Sequence, residues 1–279
     1  MHPPPRPAEW LEKLAIRLFL ALSPRLPRTP QPAPPDDLRP WESVSVARPG
    51  GGGRPLAGTW YPAEGSARGA VLLLPPWTSW GKAYFHRKGR IEALRAAGYH
   101  ALALDLPGIP GFPARGFFDR DLEAGLAFLQ QRAPGLPLHV WGVSAGGYWV
   151  HPVLSRTDWV AGAMFEDVAA HLIEWSWRVA PWGRPAYLFF QHLLRPAWRY
   201  LDMRRHAETL NVRAVAYVSG EKDRGVRPAD TCDLARRANA LCRIVDGARH
   251  LESIKLANQE ILALALDTFR RAEEGVTAE

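Results

Sequence analysis

The turn at residues 142–146 reads Gly-Val-Ser-Ala-Gly, and it constrains the fold more than any other part of the chain. It joins an apolar run that predicts a strand, Leu136–Trp141, to a segment that predicts a helix, Ala145–Leu154. Because the residues flanking Ser144 are small, the strand and the helix can approach each other without a clash. The pattern predicts that the Ser144 hydroxyl projects from one edge of a sheet at a helix N-terminus, where backbone N–H groups are free.

Strand-like and helix-like segments alternate from residue 41 onward. The continuous apolar run at Ala70–Leu74 is typical of a strand that is buried on both faces. The alternation predicts an α/β fold with a mostly parallel twisted sheet and helices on both faces. The predicted strands are Trp41–Ala47, Leu56–Tyr61, Ala70–Leu74, Tyr99–Leu104, Leu136–Trp141, Trp159–Phe165, Ala214–Ser219 and Leu241–Val245. The predicted helices are Lys88–Ala97, Arg120–Arg132, Ala145–Leu154, Pro228–Ala240 and Leu251–Ala272.

A serine hydroxyl becomes a useful nucleophile only beside a base, and the base needs an acid to orient it. Of the nine histidines, His250 follows the last predicted strand and precedes the last helix. Asp223 follows the strand before that one. Both positions lie at the carboxyl edge of a parallel sheet, where Ser144 is expected, and the chain order Ser144, Asp223, His250 suits this architecture. Glu166 or Asp167, which follow another strand, could also supply the acid.

These residues give the chain a resemblance to the α/β-hydrolase fold superfamily over about residues 41–273. The resemblance rests on the serine turn at 142–146, on the late Asp223 and His250, and on the Asp-Leu-Pro-Gly turn at 105–108. It implies Ser144 as nucleophile, His250 as general base and then acid, and Asp223 as the residue that orients the imidazole.

The same resemblance implies an oxyanion hole with two backbone N–H donors. One belongs to Ala145 and the other to the loop after the Ala70–Leu74 strand. That loop reads Pro-Pro-Trp-Thr at residues 75–78, and prolines have no N–H. The second donor is therefore Trp77 or Thr78, and Trp77 takes the position that aligns with the family. No metal or other cofactor is expected.

A segment of about residues 166–210 is too long for a simple loop and occupies the place of a helical cap in this family. It is rich in bulky aromatic residues. Such residues near the site favour an apolar acyl or alkyl group in the substrate. The expected activity is hydrolysis of hydrophobic carboxylic esters through an acyl-enzyme, with a small-molecule ester as partner.

Three other activities remain open. An aminopeptidase or amidase would need a carboxylate to hold the substrate amine, for which Glu166, Asp167 or Glu174 is available. A thioesterase or acyltransferase could use Arg178 and Arg184 to recognise a carrier. A lipid-binding module without catalysis could keep the same fold.

Residues 1–40 form a separate segment that holds 11 of the 26 prolines. Within it, leucines at helical spacing predict an amphipathic helix at residues 10–22. This helix could pack on the domain, or it could lie in a membrane interface and give the protein a peripheral membrane contact.

The net charge of +7 comes almost wholly from scattered arginines. No nucleic-acid-binding motif accompanies them, so we expect no nucleic-acid partner. No apolar stretch is long enough to span a bilayer. Cys232 and Cys242 are too few for a disulfide framework, and we expect both to be buried thiols of a cytoplasmic protein, with membrane association open through residues 10–22.

Overall fold

A computed structural model of the chain describes residues 33–48, 55–78, 80–106, 118–179, 181 and 201–275. The helix predicted at residues 10–22 and the middle of the segment 166–210 lie outside these ranges. None of the helices within them is both long and apolar enough to cross a membrane.

One sheet of eight strands forms the centre of the molecule. In chain order the strands are β1 (Glu42–Val46), β2 (Leu56–Tyr61), β3 (Gly69–Leu74), β4 (Tyr99–Leu104), β5 (Leu138–Val143), β6 (Val160–Glu166), β7 (Ala214–Gly220) and β8 (Leu241–Val245). Their order across the sheet is β1-β2-β4-β3-β5-β6-β7-β8. Only the β1–β2 and β2–β4 pairs are antiparallel, and the remaining neighbours are parallel.

Helices cover both faces of this sheet. They are α1 (Arg90–Ala96), α2 (Phe118–Arg132), α3 (Ala145–Leu154), α4 (Leu172–Val179), α5 (Met203–Glu208), α6 (Pro228–Arg237), α7 (Ser253–Leu256) and α8 (Asn258–Glu274). Successive residues of β3 point to opposite faces: Leu72 joins the core shared with α2, α3, α5 and α6, whereas Val71 joins the core shared with α1 and α8. The predicted fold class is therefore confirmed.

Several predicted boundaries differ from the structure by one to three residues, and two of the differences have clear local reasons. The strand predicted from Leu136 begins at Leu138, because Pro137 has no N–H to donate to the sheet. The helix predicted over Leu251–Ala272 begins later and is divided into α7 and α8. Leu251 has a φ of +59°, which a right-handed helix excludes, and Ala257 between the two helices has a φ of −136°.

The expectation of two free, buried cysteines is wrong. Cys232 of α6 and Cys242 of β8 form a disulfide, and both residues are exposed. The bond attaches the last strand, which lies at the edge of the sheet, to the helix that covers it. Disulfides are rare in reducing compartments, so cysteine usage no longer supports a cytoplasmic location.

Candidate active site

The turn between β5 and α3 holds Ser144 in a strained backbone conformation, with φ +48° and ψ −113°. Its N–H donates to the Glu166 carbonyl at 2.7 Å, and its carbonyl accepts from the Tyr148 N–H at 2.8 Å. A non-glycine residue persists at such angles only where its surroundings impose them. Here the neighbouring strand and the first turn of the helix do so.

Three glycines make this turn possible because other atoms occupy the space of their missing side chains. A Cβ on Gly142 would lie 2.4 Å from the Cα of Gly147, and one on Gly147 would lie 2.4 Å from Val168 Cγ2. A Cβ on Gly146 would lie 2.3 Å from the Leu74 carbonyl oxygen. The helix therefore starts against the end of β3, beside the loop that begins at Pro75.

The structure brings Ser144, His250 and Asp223 together. Nε2 of His250 lies 3.1 Å from the Ser144 hydroxyl oxygen, and its Nδ1 lies 2.6 Å from Oδ2 of Asp223. With Nδ1 donating to the carboxylate, Nε2 carries a lone pair and can accept the serine proton. This is the geometry that a serine nucleophile with a histidine base requires.

The loop after β7 fixes the orientation of the Asp223 carboxylate. Its Oδ1 accepts the backbone N–H groups of Gly225 at 2.8 Å and Val226 at 2.9 Å. Its Oδ2 is therefore left to face the imidazole. The Lys222 N–H donates to the Ala248 carbonyl at 2.8 Å, so this loop also supports the one that carries His250.

Asp167 lies beside the same histidine but does not orient it. Its Oδ2 accepts the Leu251 N–H at 2.8 Å, and its Oδ1 accepts the Gly220 N–H at 3.3 Å. It thus ties the residue after His250 to the end of β7. Burial raises the pKa of Asp167 to about 7 against the opposing effect of His250.

The pKa of His250 is set by opposing effects. Burial alone would lower this pKa, but the hydrogen bond to Asp223 and the charges of Asp167 and Asp223 outweigh burial and raise it above its usual value. Asp167, Asp223 and His250 place atoms able to bind a metal within 4.8 Å of one another. These atoms already bond to Ser144, to each other or to backbone N–H groups, so a metal there would have to displace the serine contact or one of these bonds.

Glu166, the other carboxylate considered from the sequence, bonds to residues other than His250. It forms a buried ion pair with Arg90 through contacts of 2.8 and 3.0 Å, and it accepts the indole N–H of Trp141 at 2.6 Å. Nothing in the sequence pattern indicated Arg90 as its partner, because the two residues are 76 positions apart.

The two candidate oxyanion donors lie on the segments that meet at Gly146. Ala145 is the first residue of α3, so its N–H has no acceptor within the helix. In the loop after β3, the Thr78 N–H donates to the Pro76 carbonyl at 2.8 Å and is already used. Within the described ranges the Trp77 N–H makes no backbone hydrogen bond, which keeps it available as the second donor.

A cleft of about 820 Å³ opens beside His250. Its walls are α4, the loop that carries Asp223, and the end of the His250 loop. The helix packs tightly on the acid loop, because a Cβ on Gly225 would lie 2.6 Å from Nε1 of Trp175. Arg178 adds hydrogen bonds to the Gly225 carbonyl at 3.1 Å and to Asp230 at 2.6 Å.

Comparisons with known proteins reveal similarity in structure only. No protein-family model matches the sequence, and no curated protein matches it significantly. The structure of a Pyrococcus furiosus esterase, Pf2001, matches with a TM-score of 0.71 at 18% identity, over 89% of this chain and 97% of that one.

Two further solved structures share the same fold. An α/β hydrolase from a Penicillium species, GrgF, matches with a TM-score of 0.65 at 15% identity, over 84% of this chain and 99% of that one. An acylaminoacyl peptidase from Pyrococcus horikoshii matches with a TM-score of 0.64 at 12% identity, over 86% of this chain and 42% of that one. Together with the eight-stranded sheet and the serine turn, these matches establish that the chain has the fold of the α/β-hydrolase superfamily.

Proposed function

We propose that the protein is a serine hydrolase that cleaves carboxylic esters with a hydrophobic acyl or alkyl group. The observation that carries this proposal is the pair of contacts from Ser144 to His250 and from His250 to Asp223, at 3.1 and 2.6 Å. A strained serine, a histidine of fixed tautomer and an acid held by two backbone N–H groups form a site prepared for nucleophilic attack.

In the first half of the reaction, Ser144 Oγ attacks the acyl carbon while Nε2 of His250 takes its proton. The carbonyl oxygen becomes an oxyanion, which the N–H groups of Ala145 and Trp77 stabilise by about 3 kcal/mol each. The bond to the alcohol oxygen then breaks, and His250 gives its proton to the departing alcohol.

In the second half, a water molecule attacks the acyl-enzyme. His250 accepts a proton from the water, the acid is released, and Ser144 recovers its proton from His250. Asp223 keeps its hydrogen bond from Nδ1 of His250 and stabilises the imidazolium that forms in each half.

Contacts of the three carboxylates favour an ester over a substrate with a free amine. An aminopeptidase needs an available carboxylate to bind the amine. Glu166 is paired with Arg90, Glu174 is paired with Arg178 and Arg204, and Asp167 is bonded to backbone N–H groups. A substrate amine would have to break one of these arrangements.

We also propose that the segment of about residues 166–210 caps the site. Its described part supports this role, since α4 packs against Gly225 two residues after Asp223 and forms one wall of the cleft. Trp175 and Val179 make that wall apolar, which suits a hydrophobic acyl or alkyl group.

The test combines active-site labelling with turnover. We expect a fluorophosphonate probe to label the wild type and the control Ser43→Ala, which alters an exposed serine of β1, but not Ser144→Ala. A chain-length series of p-nitrophenyl esters should show rates that increase with acyl length in the wild type and a loss of at least about 10³-fold in Ser144→Ala. Equal rates for these two proteins would refute the proposal.

A further inference from the structure

The cleft beside His250 has walls of two different characters. Trp175 and Val179 of α4 supply apolar side chains, and Lys222, Arg224 and Arg249 of the two neighbouring loops supply three cations. These three cations are exposed, so a ligand in the cleft can reach them. A cleft of this kind suits a molecule that has an apolar part and a negative charge.

The three cations have no ion-pair partner in the part of the chain that the structure describes. Other arginines do have partners: Arg178 contacts Asp230 at 2.6 Å, and Arg237 contacts Asp233 at 2.8 Å. Two acids also line the cleft, Glu221 and Asp223. Glu221 accepts the Gly247 N–H at 2.8 Å, and Asp223 is bonded to His250 and to two backbone N–H groups.

The remaining sequence offers little to neutralise these charges. Outside the described ranges the chain contains only three acidic residues, Glu9, Glu12 and Glu279. The segment of about residues 166–210, which includes α4, also contains residues 182–200. These include three arginines and no Asp or Glu. The side chains that line the cleft include four basic residues and two acidic ones, so the lining has a formal positive charge, which attracts anions.

We propose that this cleft binds an anionic group, a carboxylate or a phosphate, carried by the ester substrate. This inference rests on the proposed hydrolase function and narrows its substrate class to anionic amphiphilic esters. The scissile carbonyl lies at the His250 end, the apolar chain lies along Trp175 and Val179, and the anion contacts Lys222, Arg224 and Arg249. Arg178 has a different role, since its contacts hold α4 to the acid loop.

The first experiment compares two nearly isosteric substrates: the p-nitrophenyl monoester of suberic acid, which has a free carboxylate, and its methyl-capped form. We expect kcat/KM to be about tenfold higher for the free carboxylate at low salt, and this ratio to fall as salt screens the cations. Each of Lys222→Gln, Arg224→Gln and Arg249→Gln should lower the ratio about twofold, and the triple variant should bring it near one.

The matched control is Arg213→Gln. Arg213 is exposed, lies just before β7 at the opposite edge of the sheet from His250, and has no ion pair within the described ranges. We expect it to leave the substrate ratio at the wild-type value. A ratio near one in the wild type, or a ratio that the triple variant does not change, would overturn the inference while the hydrolase proposal stands.

Binding measurements separate the source of the anion and keep the test independent of turnover. Calorimetry with wild type and Ser144→Ala uses mono-octyl phosphate, octanoate and octanol as probes. We expect one of the two anions to bind at least tenfold more tightly than octanol, and the triple variant to lose that difference; the tighter anion identifies phosphate or carboxylate. If no ester is hydrolysed but the anion still binds in this way, the hydrolase proposal fails and the anion site remains. Equal binding of all three probes would refute the site.

Discussion

Replacing Asp167 with asparagine should move the pH dependence of the reaction without removing the Ser144–His250 contact. The reaction needs a neutral His250, so the acidic limb of kcat/KM follows the pKa of this histidine. The negative charge of Asp167 favours the protonated imidazolium and raises that pKa. In Asp167→Asn the proton should therefore leave His250 at lower pH, and activity should extend further into the acidic range.

The size of this shift follows from the spacing of the groups. The ligating atoms of Asp167 and His250 lie within 4.8 Å, and two unit charges at that distance interact by about 3.5 kcal/mol at an effective dielectric constant near 20. Burial raises the pKa of Asp167 to about 7, so it is only partly ionised in the relevant range, and the His250 side chain is 30% exposed. An interaction of about 3.5 kcal/mol corresponds to about 2.6 pKa units. We therefore expect a shift of about one pH unit, less than half of that value.

The assay records kcat/KM for a p-nitrophenyl ester from acidic to mildly alkaline pH, with the rate of fluorophosphonate labelling as a second measure. The control is Asp246→Asn, which removes the same charge from an exposed carboxylate four residues before His250 and should shift the limb by less than about 0.2 units. Asparagine has a single acceptor oxygen, so Asp167→Asn keeps only one of the backbone contacts to Gly220 and Leu251. A thermal unfolding curve that remains cooperative would show that the variant is folded. An acidic limb that stays in place or moves to higher pH in a folded Asp167→Asn protein would refute the reasoning.

Three further predictions concern stability and the N-terminal segment. Reduction of the disulfide should lower the free energy of unfolding by about 3 kcal/mol, since the bond closes a loop with a sequence separation of 10. The double variant Cys232→Ser with Cys242→Ser should have the same effect. Equal denaturation midpoints with and without reductant would contradict this prediction. Arg90→Ala should lower the free energy of unfolding by about 3–5 kcal/mol, because it leaves the Glu166 charge buried and unpaired, and a loss below about 1 kcal/mol would show that water replaces the arginine. If the predicted helix packs on the domain, removal of residues 1–32 should lower the free energy of unfolding by about 2 kcal/mol. Flotation with anionic vesicles should then be the same for the full and the truncated chain. Loss of flotation on truncation would support the membrane contact instead.

The general architecture could be predicted from the sequence because its signals are local. Buried parallel strands appear as continuous apolar runs, as at Ala70–Leu74, and the serine turn needs small residues at fixed positions around Ser144. The convergence of Asp223 and His250 could also be anticipated, since both follow parallel strands whose carboxyl ends share one edge of the sheet. Their catalytic roles, and those of Ala145 and Trp77, remain predictions.

The features that could not be predicted depend on partners far apart in the chain. Asp167 was, with Glu166, an alternative to Asp223 as the acid, and only the structure shows it bonded to Gly220 and Leu251 rather than to the imidazole. The disulfide was missed because two cysteines in a chain of this length usually remain free, and their proximity depends on how α6 packs on β8. The interruption before α7 was missed because a leucine with positive φ has no sequence signature.

The contact between Ser144 and His250 joins residues that are 106 positions apart, and this separation determines when the site can form during synthesis. The nucleophile leaves the ribosome while the strand that precedes its base is still untranslated. A chain that stops before residue 250 contains the serine turn but lacks the imidazole that contacts the Ser144 hydroxyl. Reactivity toward a phosphonate probe therefore reports on completion of the C-terminal part of the sheet.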